Sequence, residues 1–370
     1  MTPAPVARIT ACDCLTAFGD APATHQALLE GRIALEPTPV LGSRGGDAVP
    51  LALLPDRVLD EDLPPRWLDF AERLLSKLPG DGWGSPRRPV IVTSSNFGVG
   101  SLYAYRLNGD ARNLAYGTPF ASVEQLAKRL DWGPNTITFS HACVTAHLGL
   151  LHASRLVDAR LAEKVLVLSF DLLSPFVTGG FHALKILNGM MPAPYEARDV
   201  GSIGLGDGLA FAVVEPASAA GEFSLLAQAV YNEMHHFTAN RADGAGFAAC
   251  IREITSAAAG RRVWLKGHGT GTLEAGKLEA GELAAAFPES PLVSWKGSLG
   301  HTLGSCGLVE LALTLCALRN GRAPGTPGSR TPTFTSNIML EPFSVSNFDA
   351  AVCTSNAFGG AHAALLVGAA

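Results

Sequence analysis

Two apolar runs in the second half of the chain end in the same way. VWLKG leads into HGTGT at 268–272, and LVSW leads into KGSLGHTLGSCG at 296–307. A short β-branched or aromatic run, then glycine, then histidine, then a helix-forming stretch reads as a strand-to-helix turn. Glycine there lets backbone approach a ligand closely. Upstream, the run at 136–139 passes through SHAC into VTAHLGLLHASRLV, which sets Cys143 at a turn of the same kind. Ligands of open α/β sheets bind at the carboxyl ends of strands, so these turns constrain both the architecture and the position of a site.

The rest of the sequence fits an α/β reading. Strands are expected at 7–12, 89–94, 136–139, 164–170 and 209–215 in the first half. In the second they are expected at 223–231, 262–266, 292–295, 350–354 and 363–367. Helices are expected at 123–130, 144–156, 278–285 and 307–319, and strands separated by helices argue a mainly parallel sheet with covered faces. The two halves, 1–217 and 222–370, carry matching strand numbers around the PASAAG stretch at 216–221, the pattern of a structural duplication. The Pro/Gly/Ser/Thr-rich stretch 322–336 reads as an ordered surface loop.

Composition narrows the function. Charged residues make up 16% and apolar ones 47% of 370 residues, which favours a compact oligomeric enzyme over a disordered chain. A net charge of −5 with no basic stripe argues against nucleic-acid binding. The stretch 66–77 is a candidate basic patch for an acidic partner, against the simpler reading of a solvated amphipathic helix. No basic-then-apolar leader and no run of about 18 uncharged apolar residues is apparent, so neither a signal peptide nor a membrane span is expected. Seven irregularly spaced cysteines fit reduced thiols in the cytoplasm.

Cys143, opening a helix, meets unpaired N–H groups and the positive dipole end, which would lower its pKa and favour thiolate. His268 and His301 stand in their matched glycine turns. Lys296, five residues before His301, and Glu279, eleven after His268, would form a buried pair whose positive charge keeps the imidazoles neutral. Thr270 and Thr272 could hydrogen-bond an amide-bearing arm. A thiol and two neutral imidazoles suit acyl transfer through a thioester.

Taken as a set, SHACVTAH, HGTGT, the KxxxGHxxGxxG spacing and the late SNAFGGAHAALLVG resemble the β-ketoacyl synthase family in its elongating, Cys-His-His form. ITACDCLTAFGD near the start and GLGDGLAFAVVE at 204–215 extend the resemblance along the chain. It implies a thiolase-like α/β fold: two similar halves with mixed five-stranded sheets in a layered αβαβα arrangement. It also implies decarboxylative Claisen condensation of an acyl-Cys143 enzyme with a malonyl carrier thioester. In that scheme His268 and His301 serve decarboxylation and Lys296 and Glu279 support them. The backbone N–H groups of Cys143 and Phe358 form the oxyanion hole, and Thr270 and Thr272 touch phosphopantetheine.

No metal or redox cofactor is required by those steps. The implied partners are an acyl carrier protein and a second subunit, in a homodimer or a heterodimer with another ketosynthase-like chain. Departures from the family pattern fall around the pocket: His141, Val144 and Thr145 beside the nucleophile, Ala275 and Gly276 after HGTGT, and Ala193, Pro194, Tyr195 and Glu196. Asn356 stands where a phenylalanine usually gates the acyl pocket. They point to a specialised synthase of a polyene or other secondary pathway. The rival reading is a catalytically silent chain-length-factor-like subunit. A thiolase is disfavoured because Cys353 lacks the neighbouring glycine of a second reactive cysteine.

Overall fold

The computed structural model describes residues 5–40, 47–59, 65–236 and 240–370. The first four residues of the stretch read for a leader lie outside these. Among the described residues the main sheet has eleven strands, ten of them on one continuous path. In the first half these are β1 (Ala7–Thr16), β2 (Val90–Thr93), β3 (Thr136–Phe139), β4 (Val165–Asp171) and β5 (Gly208–Glu215). In the second half they are β6 (Phe223–Asn232), β7 (Val263–Lys266), β8 (Leu292–Val293), β9 (Ala350–Ala357) and β10 (Ala361–Ala369). The spatial order is β8-β7-β9-β10-β6-β1-β5-β4-β2-β3. Each half therefore repeats the order third-second-fourth-fifth-first, and β1 joins β6 antiparallel through Ala7–Leu225, Arg8–Ser224 and Ile9–Phe223.

The expected mainly parallel sheet is mixed. Pairing is parallel where a helix returns the chain (β2 with β3 and β4, β7 with β8 and β9). It is antiparallel in the β9–β10 hairpin and also where distant strands meet: β1 with β5 and β6, β4 with β5, and β6 with β10. The antiparallel pairs escaped the sequence reading because both faces of the sheet are covered. Their strands then run continuously apolar, as buried parallel strands do.

Two helices fill the space between the half-sheets: α3 (Thr145–Asp158) and α7 (Cys306–Asn320). Helix α7 touches β1, β5, β9 and α3, whereas α3 touches β2, β4, β5, β6 and β10. Residues 306–317 of α7 are all buried, which is why its sequence is apolar all round rather than along one stripe. With the preceding turn it makes an 18-residue segment, Leu303–Asn320, long and apolar enough to cross a membrane, yet 83% of that segment is buried in the protein. No such segment was expected from the sequence; its place between the sheets is that of a core helix.

The outer faces carry α1 (Trp67–Leu75) and α2 (Pro119–Arg129) on the first half. On the second they carry α4 (Ala245–Ala257) and α5 (Leu273–Ala286). Together these elements make the layered αβαβα arrangement. Helix α1 resolves the candidate basic patch: Trp67, Leu68, Phe70, Ala71, Leu74 and Leu75 face the core. Lys77 is held by Asp13 and Asp20, each at 2.8 Å, so its charge is neutralised within the fold. The 322–336 loop is less superficial than expected, since residues 323–326 are buried and Pro324 O accepts from Trp295 Nε1 at 3.4 Å.

Candidate active site

Strand β3 ends at Phe139, Cys143 follows four residues later, and the chain enters α3 at Thr145. The turn is fixed by Thr145, whose hydroxyl accepts from His141 N at 2.7 Å and donates to Ala142 O at 2.6 Å. Ala142 takes φ +46°, a left-handed conformation that costs a residue with a Cβ about 1 kcal/mol. Thr145, read above as a departure, therefore holds the bend that presents Cys143.

His268 lies two residues beyond β7, and His301 follows the short helix α6 (Lys296–Leu299). The His301 turn is clamped on both sides: His301 N donates to Gly204 O at 2.8 Å, and Gly206 N donates to His301 O at 3.1 Å. Gly300 has φ +69°, and a Cβ there would lie 2.5 Å from Leu205 backbone, so glycine is required.

These turns bring the three side chains together. His301 Nε2 lies 2.9 Å from Cys143 Sγ, and the His268 and His301 rings meet edge to face with centroids 4.9 Å apart. The Cys143 sulfur and one nitrogen of each imidazole all lie within 4.8 Å of one another. Cys143 is half-buried, and both histidines are buried.

The expected thiolate is overturned. Burial pushes the Cys143 thiol well above the ordinary cysteine range, Cys306 adds to this, and Lys296 opposes it only in part. Desolvation outweighs the helix dipole because the thiol packs against Val144, Ala357, Ala361 and Ala363. The histidines move the other way. Burial, then Lys296, lowers both His268 and His301 well below the usual imidazole range. The Nδ1 atoms of both rings have no hydrogen-bond partner among the described residues, so no carboxylate stabilises an imidazolium. The resting pair is thiol and neutral imidazole.

The expected Lys296–Glu279 pair is not formed. Lys296 Nζ contacts Glu310 Oε1 at 2.5 Å, and Glu310 is the lone acid in the apolar run of α7. Glu279 instead anchors the His268 turn. It accepts from His268 N at 2.7 Å, Gly269 N at 2.8 Å, Tyr195 Oη at 2.8 Å, Thr354 Oγ1 at 2.7 Å and Asn356 Nδ2 at 3.1 Å. Only a carboxylate offers enough lone pairs to satisfy so many donors in a dry site.

Asn356 is likewise not free to act as a gate. Its amide is held by Glu279 at one end and by His362 Nδ1 at 2.7 Å at the other, and His362 Nε2 continues to Glu233 at 2.9 Å. Thr270 and Thr272 are half-buried with their hydroxyls 3.1 Å apart. Phe358, at the β9–β10 turn, is exposed and stacks on Phe181 with centroids 6.1 Å apart. Asp171, at the end of β4, is pushed up to about 6 by burial and accepts from Ser94, Ser95 and Asn96. Glu310, Asp171 and the His362–Glu233 pair were missed, and Tyr195 was noted only as a departure from the family pattern. A single acid or lysine inside an apolar run, as at Glu310 and Lys266, was the available signal.

Residues 223–329 match the beta-ketoacyl synthase C-terminal domain. The chain is 27% identical over 303 residues to a 3-oxoacyl-acyl-carrier-protein synthase 2 of Coxiella burnetii, covering 77% of this chain and 71% of that protein. Against a synthase of the same name from Vibrio harveyi it is 30% identical over 259 residues, covering 63% of this chain and 61% of the relative. A beta-ketoacyl synthase from Burkholderia phymatum superposes with a TM-score of 0.83 at 20% identity over the full length of both chains. A ketosynthase solved in complex with its chain length factor from Xenorhabdus doucetiae gives 0.79 at 20% identity, over 99% and 98% of the two chains. The fold is thiolase-like, and residues 223–329 match the beta-ketoacyl synthase C-terminal domain.

Proposed function

We propose that this chain is a condensing enzyme that joins an acyl group on Cys143 to a malonyl carrier thioester with loss of carbon dioxide. The observation that carries the reading is the contact of Cys143 Sγ with His301 Nε2 at 2.9 Å, with His268 edge-on to the same ring. As the thiol sulfur attacks an incoming acyl thioester, its proton passes to His301 Nε2. The tetrahedral oxyanion is held by the Cys143 and Phe358 N–H groups, and the departing carrier thiolate takes the proton up. In the second half-reaction the two neutral rings each donate an N–H to the malonyl thioester oxygen. The carboxylate leaves as carbon dioxide, and the enolate carbon attacks the acyl carbonyl. Collapse of that adduct breaks the bond to sulfur, and the released Cys143 thiolate takes up a proton from water as the β-ketoacyl carrier leaves.

The partner is an acyl carrier protein whose phosphopantetheine meets Thr270 and Thr272, and the compartment is the cytoplasm. Among the described residues strand β3 pairs only with β2 and leaves an open sheet edge, which supports pairing with a second subunit. The polar Asn356–His362 chain beside the pocket, where the family pattern is apolar, supports an acyl substrate other than that of the housekeeping synthases. Intact-mass spectrometry after incubation with acyl carrier thioesters tests the reading. An acyl adduct on the native protein, absent from Cys143→Ala, supports it. No adduct across several acyl lengths would overturn it in favour of a silent chain-length-factor-like subunit.

A further inference from the structure

The condensing reading assigns work to Lys296 but none to a second buried lysine close by. Lys266 is the last residue of β7, two positions before His268, and it is fully buried. Side chains alternate across a strand. Val263 and Leu265 pack outward under α4 and α5, while Trp264 points into the central layer against Trp295. Lys266 shares the inward face with Trp264, where its Nζ pairs with Glu310 Oε2. The other oxygen of the same carboxylate holds Lys296. One carboxylate thus serves two lysines: burial lowers Lys266 and Glu310 opposes that shift, and its Nζ has no further hydrogen-bond partner among the described residues.

We propose that Lys266 is a positioning residue of the catalytic site: by sharing Glu310 with Lys296 it leaves a net positive charge behind His268 and His301, which holds both rings in the neutral form. The proposal rests on the condensing reading, because only that reaction needs two uncharged N–H donors. A single Lys296–Glu310 pair would be neutral overall and would cast little net field on the rings. Other titratable groups also face the histidines. From α5, Glu279 keeps its negative charge and accepts from two backbone N–H groups and three side-chain donors, yet the leading charge effect at both rings comes from Lys296, with Lys266 also contributing. From α3, His147 is itself pushed down to about 4 by burial and then by Lys266. Cys143 before α3 and Cys306 at the start of α7 are held as thiols, burial raising both. Asp171 at the end of β4 spends its oxygens on Ser94, Ser95 and Asn96. Burial disfavours an imidazolium at both histidines, and Lys296 and Lys266 each act in the same direction.

The test is a ring titration of His268 and His301 by NMR in the full chain carrying ¹³C-labelled histidine, read beside the pH profile of malonyl-thioester decarboxylation. In Lys266→Met both ring midpoints rise by about one pH unit or more, roughly a tenfold gain in proton affinity. The acid limb of the decarboxylation profile then moves up by the same amount, about one pH unit. Lys266→Arg keeps the charge and keeps the native midpoints. Unchanged midpoints in a folded Lys266→Met protein overturn the proposal. So does protonation of either native ring near pH 6.5, a result that needs no variant at all. The titration requires no acyl chemistry, so a protein whose rings respond as expected but which forms no Cys143 adduct refutes the condensing reading and leaves the electrostatic assignment standing.

Discussion

Glu310→Gln removes the charge shared by Lys266 and Lys296 while keeping side-chain shape, so its cost is electrostatic. Removing one partner of a buried ion pair costs about 3–5 kcal/mol, because the other charge is stranded without water. Here two ammonium groups are stranded on α6 and β7. A stranded lysine can discharge its proton instead. With an unfolded pKa of 10.4 that costs about 5 kcal/mol at pH 7, which caps the penalty per lysine. In the native protein burial works to lower Lys296, but Glu310 outweighs it and the lysine sits above its ordinary value. In the variant the balance reverses. The folded lysine then binds its proton less tightly than the unfolded one, so stability rises with pH across the window between the two pKa values. The deficit against the native protein should be about 3–5 kcal/mol at pH 7 and shrink by up to about 1.4 kcal/mol per pH unit toward pH 10. Urea unfolding of both proteins at pH 7 and 9 measures it. A deficit below about 1 kcal/mol at pH 7, or one flat in pH, would refute the shared-carboxylate account.

Alkylation of Cys143 by iodoacetamide should accelerate continuously from pH 7 to about 9, since burial holds the thiol protonated; a plateau already reached near pH 6–7 would reveal a preformed thiolate. Gly300→Ala should displace the His301 turn, because its Cβ would meet Leu205 backbone. Decarboxylation should then fall by at least tenfold in a protein whose far-UV circular dichroism is unchanged. Asn356→Phe should not recreate an apolar gate: it leaves Glu279 and His362 each short of a partner and should cost about 1–3 kcal/mol in denaturant unfolding.

The strand-to-helix turns were the most legible part of the sequence. Glycine and histidine after short apolar runs marked the His268 and His301 segments, a strand-to-helix turn marked Cys143, and β3 falls at the residues expected, Thr136–Phe139. What stayed hidden was pairing across distance. Nothing local says that Lys296 reaches along to Glu310 rather than to Glu279, since that depends on α7 threading between the half-sheets. Asn356 read as a missing phenylalanine because its partners, Glu279 and His362, lie 77 and 6 residues away. The reversed pKa of Cys143 was missed for a related reason: a helix start is visible in sequence, but the apolar hairpin of β9 and β10 packed over it is not.

The central position of α7 has a cost during synthesis. The strand that closes over it from the second half, β9, follows the helix in the chain and is made only after it, together with its neighbour β10. Until residue 369 is in place, a helix apolar on every side has no complete shelter and resembles cargo for the secretory machinery. A chain cut short before Ala350 would keep every atom of the Cys143, His268 and His301 side chains and still be a chaperone client rather than an enzyme.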